Sequence, residues 1–405
     1  MPENIQLNKN SIRNLLTIRY DPSPKSNINQ IQPKQLRTTE SDPEGYNTEK
    51  LLKKASDCLS TNNNSFAVSL SGGIDSTLSL ALCRKIFPDK KIVGICAVFE
   101  DSFDESKTAK KIAEKFDSDF KVIPIESIFR NLPNLVSITK KPRWNTYQHF
   151  VAKEAKKHSK ILITGDGADE VFTGYTFRYK KFLNLLQIND NWKTKTINYL
   201  ECHNRDWVPD QDSIFGSKIK FNWNEIYDYF KKYFSNNLSP LKQVMLADYN
   251  GKLRLDFLPT SQNISDFYGI KNFSFFLDKD VIDYGLKLPV EQNYDESTKV
   301  GKIILRKISQ RLGIKHLQDK YGFSPDILID WKKHGKDIFE SIMLSKDCNV
   351  YENKLINFNW VLRAYERVDD DLDIRYLNRL ISIMSLEIWY RIFITKEMKS
   401  SRKLG

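Results

Sequence analysis

The sequence predicts an α/β protein, a parallel sheet with both faces covered, followed by a mostly helical C-terminal half. Three observations predict it. Short apolar runs alternate with helix-length stretches up to about residue 175. Glycine-rich turns stand where two of those runs end, and beyond Tyr175 the segments read as helices with no strong strand. Near-continuous apolar strands separated by helices are the pattern of βαβ units.

The elements follow in order. Residues 1 to about 48 are rich in Pro, Asn, Gln and Ser, with only the apolar piece IRNLLTIRY, and read as an irregular arm or linker. A helical pattern starts at Thr48 (Leu51, Leu52, Ala55, Leu59) and leads to the strand FAVSLS. The helix TLSLALCRKIF follows, Pro88-Asp89 breaks it, and KIVGICAVF is a buried strand. A polar loop opens the helix ESKTAKKIAEKF, KVIPIES is the next strand, residues 145–157 fit a helix, and ILITG is a short strand. YKKFLNLLQI, WNEIYDYFKKYF and LNRLISIMSLEIWYRIFI are the clearest later helices. The α/β core is therefore expected over about 49–175 and the helical part over about 176–400.

Bulk properties narrow the function. The 405 residues suffice for a buried core, and 40% hydrophobic with 28% charged residues is ordinary for a soluble protein. No run approaches the roughly 20 apolar residues of a membrane span, and the polar N-terminus lacks a signal-peptide core. A cytoplasmic protein without membrane partners is expected. Five scattered cysteines with no C-x-x-C pair argue against zinc, iron–sulfur or disulfide frameworks. The net charge of +12 is spread in pairs such as Lys53-Lys54 and Lys156-Lys157, so a solvated basic surface is favoured over a nucleic-acid groove.

The chemistry lies at two turns. In open parallel sheets ligands collect at the carboxyl ends of strands, where helix N-termini present free N–H groups. Ser71, Gly72 and Gly73 occupy such a place: glycines admit a phosphate to the backbone, and Ser71 and Ser76 add hydroxyl donors. Asp75 would repel a phosphate unless a divalent cation lay between them, which points to Mg²⁺ on a polyphosphate. The bland alternative is a Gly-Gly turn with an acid at a helix start. The second turn, TGDGADEVFTGY, supplies Gly165, Gly167 and the acids Asp166, Asp169 and Glu170 after a buried strand. Asp169 is the second expected Mg²⁺ ligand; an N-capping cluster is the alternative.

SGGIDS together with TGDGADEVFTGY resembles the synthetase domain of the asparagine synthetase family, which includes β-lactam-forming relatives. Further pieces agree in order: FEDSFDESKTAKKIAEKF with Asp104, Glu105 and Ala109; KVGKIILRKIS with Lys302, Leu305 and Arg306; DKYGFSP with Lys320, Gly322, Phe323 and Pro325; and LEIWYRIF. The resemblance runs from about residue 48 to 395. It implies an ATP-pyrophosphatase fold and a two-step reaction. A small-molecule carboxylate attacks the α-phosphorus of ATP, giving an acyl-adenylate and pyrophosphate, and ammonia or an amine then displaces AMP. It further implies Asp75 and Asp169 on Mg²⁺, Lys320 as the charge stabilising both transition states, and Asp166 and Lys302 as catalytic. Ser71, Gly72, Gly73, Asp75, Ser76, Gly165, Gly167 and Arg306 would bind ATP, with adenine beside VGICAVF. For Lys302 and Arg306 a surface charge on a helix is the equal alternative.

Two departures from the family pattern stand out. Glutamine-dependent members begin with a glutaminase domain and a catalytic cysteine; here the first cysteine is Cys58, and LLTIRYDPSPKSNINQIQPKQL resembles the inter-domain segment. Ammonia from solution, a separate glutaminase subunit or a substrate amine is then expected. On the substrate side, the family's Glu-x-Arg-x-Pro-Phe-Leu-Asp is KNFSFFLD, with Lys271, Phe273 and Phe275 replacing Glu, Arg and Pro. Gln262-Asn263 stands for an Asp-Arg pair, and Asp166 for a glutamate. The alternatives are a non-catalytic nucleotide-binding subunit of an amidotransferase, and a tRNA-modifying ATP-pyrophosphatase.

Overall fold

Five parallel strands form the centre of the protein in a computed structural model, which describes residues 7–23, 28–59, 63–99, 105–145, 147–314 and 327–405. They are β1 (Ser65–Ser69), β2 (Lys91–Phe99), β3 (Asp119–Ile125), β4 (Ile161–Ile163) and β5 (Lys271–Phe273), in the order β3-β2-β1-β4-β5. The helices that position the site are α1 (Lys9–Ile18), α2 (Tyr46–Lys54), α3 (Ile74–Ile86), α4 (Ser106–Lys115), α5 (Ile128–Thr139), α6 (Gln148–Ala155) and α7 (Ala168–Val171).

The apolar strands are buried because helices cover them. Phe66, Ala67 and Val68 of β1 are fully buried, and β1 pairs with β2 from Ser65↔Lys91 to Ser69↔Ile95. On its other side Ala67 and Val68 meet Leu162 and Ile163 of β4. The chain winds outward from β1 to β2 and β3, then returns to place β4 on the opposite side. That reversal is a topological switch point, which opens a crevice at the carboxyl ends of β1 and β4. The parallel sheet and the mostly helical second half are as the sequence predicts.

Three local features differ. The N-terminal stretch expected to be irregular carries α1, whose Asn8 cap accepts from Ser11 N–H at 2.8 Å. Ile12, Leu16, Ile18 and Tyr20 are buried, and Leu16 O accepts from Gln211 Nε2 at 2.9 Å and from the Arg379 guanidinium. The apolar residues form a helical stripe that the surrounding polar composition conceals. β5 lies past Tyr175, where no strong strand is expected; three residues are too few for alternation, and only its pairing with β4 identifies it. WNEIYDYFKKYF forms two short helices, Trp223–Asp228 and Lys231–Phe234.

One apolar core joins the sheet to α2 and α3, and a second surrounds Trp331, Trp360 and Trp389 beneath the long helix Ile374–Phe393. Among the described residues no helix is long and apolar enough to cross a membrane.

Candidate active site

β1 ends at Ser69, and the chain turns through Leu70–Gly73 into α3. Hydroxyls knit this turn. Ser76 Oγ accepts from Ser71 N–H at 3.0 Å and lies 2.9 Å from Ser71 Oγ, which in turn accepts from Gly73 N–H at 3.2 Å. Gly72 N–H donates to Glu105 Oε2 at 3.3 Å, so a carboxylate oxygen already stands where an anion would meet the loop. Asp104 lies outside the described residues.

The second turn leaves β4 and touches the first. A Cβ on Gly165 would lie 2.7 Å from Asp75 Cβ, so only glycine lets the turns meet. Gly167 has φ +88°, a left-handed conformation natural to glycine, and a Cβ there would press on Leu277. Thr164 N–H bonds Phe273 O at 2.8 Å and Ser274 Oγ donates to Asp166 O at 2.7 Å, tying the turn to β5. The Asp166 carboxylate accepts from Thr164 Oγ1 at 3.0 Å and flanks the crevice.

The two turns share one cation. Lys302, only 4% exposed, places Nζ 2.6 and 2.5 Å from the two oxygens of Asp75 and 2.5 Å from Asp169 Oδ1. Its backbone is left-handed, at φ 55°, where the strand Val300–Gly301 turns into the helix Ile303–Arg311. A Cβ on Gly174 would collide with Asp169 Oδ1 and Lys302 Cε, so glycine there makes room for the pair. Arg306 sits behind: its Nε donates to Gly301 O at 3.0 Å and its N–H to Lys302 O at 2.8 Å, holding the turn that carries Lys302.

Asp75, Asp169 and Lys302 are thus brought together where the turn of Ser71, Gly72, Gly73 and Ser76 adjoins the turn of Gly165, Asp166 and Gly167. Lys320, with Gly322, Phe323 and Pro325, lies outside the described residues. The altered substrate-side positions divide. Lys271 is exposed and Phe273 and Phe275 pack together at 5.0 Å, while Asp278 caps the helix Lys279–Gly285 through Asp280 N–H at 2.9 Å. Gln262 faces outward to Asp266, and Asn263 Nδ2 donates to Thr139 O at 2.9 Å, fixing the end of α5.

Sequence reasoning missed what lies beneath the acid turn. Tyr175 OH donates to Glu170 Oε1 at 2.6 Å, and burial, followed by the charge of Asp169, pushes the Glu170 carboxyl up to about 7. The Arg178 guanidinium covers the Tyr175 ring at 3.5 Å and bonds Asp248 at 2.9 Å. Arg178 and Asp248 are far apart in sequence, and no motif marks either.

The donor set can be tested against Mg²⁺. Among the described residues no group of three or more His, Cys, Asp or Glu could hold a metal. Mg²⁺ typically takes one or two protein carboxylates and fills its shell with water and phosphate oxygens. Asp75 and Asp169, already converging on one positive charge, fit a cation carried on a polyphosphate rather than a free-standing metal centre.

Fold and site define an α/β protein whose acidic, lysine-bridged crevice opens at the switch point of a parallel sheet. The asparagine synthase family matches residues 47–391, and the chain belongs to that family. At the coarse level this makes it an ATP-dependent ligase of the amidating kind. It is 25% identical over 452 aligned positions to the glutamine-hydrolyzing asparagine synthetase 1 of Bacillus subtilis, covering 97% of this chain and 70% of that protein. It is 36% identical over 122 residues to a putative glutamine-hydrolyzing asparagine synthetase of Mycobacterium tuberculosis, covering 29% of this chain and 18% of that one. Among solved structures it has distant likenesses to an NMN synthetase from Francisella tularensis (18% identity, TM-score 0.29, 53% of this chain and 97% of that one). A second is an NH3-dependent NAD synthetase from Campylobacter jejuni (15%, TM-score 0.25, 42% and 90%).

Proposed function

We propose that the protein is an AMP-forming amide synthetase. A substrate carboxylate attacks the α-phosphorus of ATP and pyrophosphate leaves; ammonia or an amine then attacks the acyl carbon and AMP leaves. The observation that carries this reading is the convergence of Asp75 and Asp169, from adjoining turns, on the ammonium of Lys302.

Each residue has a task in that scheme. The amides of Gly72 and Gly73 and the hydroxyls of Ser71 and Ser76 receive phosphate oxygens, as Gly72 N–H now receives Glu105. Gly165 and Gly167 keep the opposite wall free of side chains. Asp75 and Asp169 would hold Mg²⁺, whose charge offsets that of the departing pyrophosphate. Lys302 transfers its charge from the carboxylates to the phosphates, and Arg306 positions it. Asp166 borders the acyl-transfer space, and Lys320 is assigned the charge on the pentavalent and tetrahedral transition states. The partners are a small carboxylate and ammonia or an amine, the ammonia free or delivered by a separate glutaminase subunit, in the cytoplasm.

The test is a screen of carboxylic acids with ATP and Mg²⁺, each with ammonia and with amines, reading pyrophosphate and AMP. Release of ADP instead of AMP would overturn the proposal. Asp75→Asn and Asp169→Asn should each reduce pyrophosphate release at least 100-fold.

A further inference from the structure

The acid turn carries Asp169 on very little helix. α7 is four residues long and has no side-chain cap, so it cannot hold a carboxylate in place unaided. Asp169 is fixed instead by the residues that follow it. Gly174 N–H donates to Asp169 O at 2.8 Å, and the Gly174 backbone lies against Asp169 Oδ1 and Lys302 Cε. Thr173 is fully buried with a left-handed backbone, at φ 57°, an unusual place for a β-branched residue. Its carbonyl oxygen faces Gly301, where a Cβ would collide with it, and Gly301 directly precedes Lys302. Strained backbone of this kind persists only where its surroundings over-determine it, and it gathers at functional sites.

Tyr175 closes that segment back onto the acid turn. Its hydroxyl donates to Glu170 Oε1 at 2.6 Å, joining the residue after Asp169 to the residue after Gly174. Its ring is held in turn by Arg178, whose guanidinium carbon stands 3.5 Å from the ring centre. A desolvated guanidinium over an aromatic face is attracted by the quadrupole of the ring. Arg178 is buried and bonds Oδ1 of Asp248, the last residue of the helix Pro240–Asp248, at 2.9 Å. Tyr199 OH, from the helix Trp192–Glu201, donates to the same oxygen at 2.8 Å. The series Asp248, Arg178, Tyr175, Glu170 therefore runs from the helical half of the protein to the short helix that carries Asp169. It acts on ring and backbone, at one remove from the carboxylate that meets Lys302.

We propose that Tyr175, braced by Arg178, is a positioning residue that sets the spacing of Asp169 and Lys302. With the proposed function as its premise, Tyr175 governs how strongly Mg²⁺ joins the nucleotide to the site, because Asp169 must pass from the ammonium to the cation without losing its place. Residues that orient a metal-binding carboxylate from behind typically change metal affinity by roughly 10–100-fold when altered. A tyrosine that merely satisfied a buried carboxyl would support the fold and leave the response to Mg²⁺ alone.

The test is a binding measurement, not turnover. The full chain is titrated calorimetrically with an ATP analogue bearing a methylene bridge between the α- and β-phosphorus, once in Mg²⁺ and once in EDTA. Tyr175→Phe keeps the ring and its stack on Arg178 and removes only the hydroxyl. Its affinity in Mg²⁺ should fall by roughly 10–100-fold, with affinity in EDTA close to that of the unaltered protein. Arg178→Lys keeps a charge beside Asp248 but not the flat face over the ring, and it should lose affinity in the same sense. Equal losses in Mg²⁺ and EDTA would make these contacts structural only, and an unchanged Mg²⁺ effect in either variant would remove them from the site; either result overturns the proposal. No Mg²⁺ effect in the unaltered protein would sink the proposed function itself and this inference with it, so the two failures are distinguishable.

Discussion

Lys302 Nζ and Asp169 Oδ1 stand 2.5 Å apart, and the same ammonium reaches both oxygens of Asp75. A buried lysine therefore offsets one of the two negative charges on the carboxylates proposed for the metal. Lys302→Met should leave the acids facing each other, and removing one partner of a buried ion pair costs about 3–5 kcal/mol. Calorimetry should record a lower Tm without ligand, and Mn²⁺ alone should then raise the Tm of the variant but not of the unaltered protein. Equal Tm values would show that the contact contributes little.

Gly174 makes that contact possible, since a Cβ there would collide with Asp169 Oδ1 and Lys302 Cε. Gly174 is not in the left-handed region, so alanine adds crowding without backbone strain. Gly174→Ala should reduce pyrophosphate release at least 100-fold while lowering Tm by only a few degrees, about 1–3 kcal/mol of overpacking. Undiminished release would mean that the Lys302–Asp169 contact is dispensable for turnover.

The difference between what was legible and what was not is one of distance along the chain. KIVGICAVF forms β2 over its full length because a continuous apolar run buried on both faces is a local property. The Ser-Gly-Gly turn is largely local too, since the partners of Ser71 and Gly73 lie within a few residues and only the Gly72 amide reaches farther, to Glu105. The pairing of Lys302 with Asp75 and Asp169 is not local: its three residues come from separate turns far apart along the chain, which the tertiary fold brings together. β5 has the same character, three residues whose meaning comes from Ile161↔Lys271 pairing. α1 was hidden differently, by a short apolar stripe among polar residues.

That stripe makes α1 part of the core. Leu16 is 3% exposed, and its carbonyl receives Gln211 Nε2 at 2.9 Å. A flexible tether would tolerate its truncation, whereas a buried leucine replaced by alanine costs about 2–5 kcal/mol. Leu16→Ala should lower stability in denaturant titration by that order. A loss below about 0.5 kcal/mol, the usual scatter of surface substitutions, would return α1 to the status of an arm.

His149 gives the fold an acid-sensitive window. It is 2% exposed, with Nδ1 2.8 Å from Tyr268 OH, and burial, followed by the charge of Lys153, lowers it from the usual 6.5 to about 4. The unfolded chain then binds a proton near pH 6.5 that the folded chain refuses until about pH 4. Stability from this group is complete above pH 6.5 and lost as pH falls through that window, because the unfolded state binds more protons there. The shift corresponds to about 3 kcal/mol at most. His149→Asn keeps a polar group near Tyr268 OH but does not titrate. Denaturant titrations at pH 7.5 and pH 4.5 should therefore show a smaller acid loss in the variant than in the unaltered protein, and equal losses would assign the acid sensitivity to other groups.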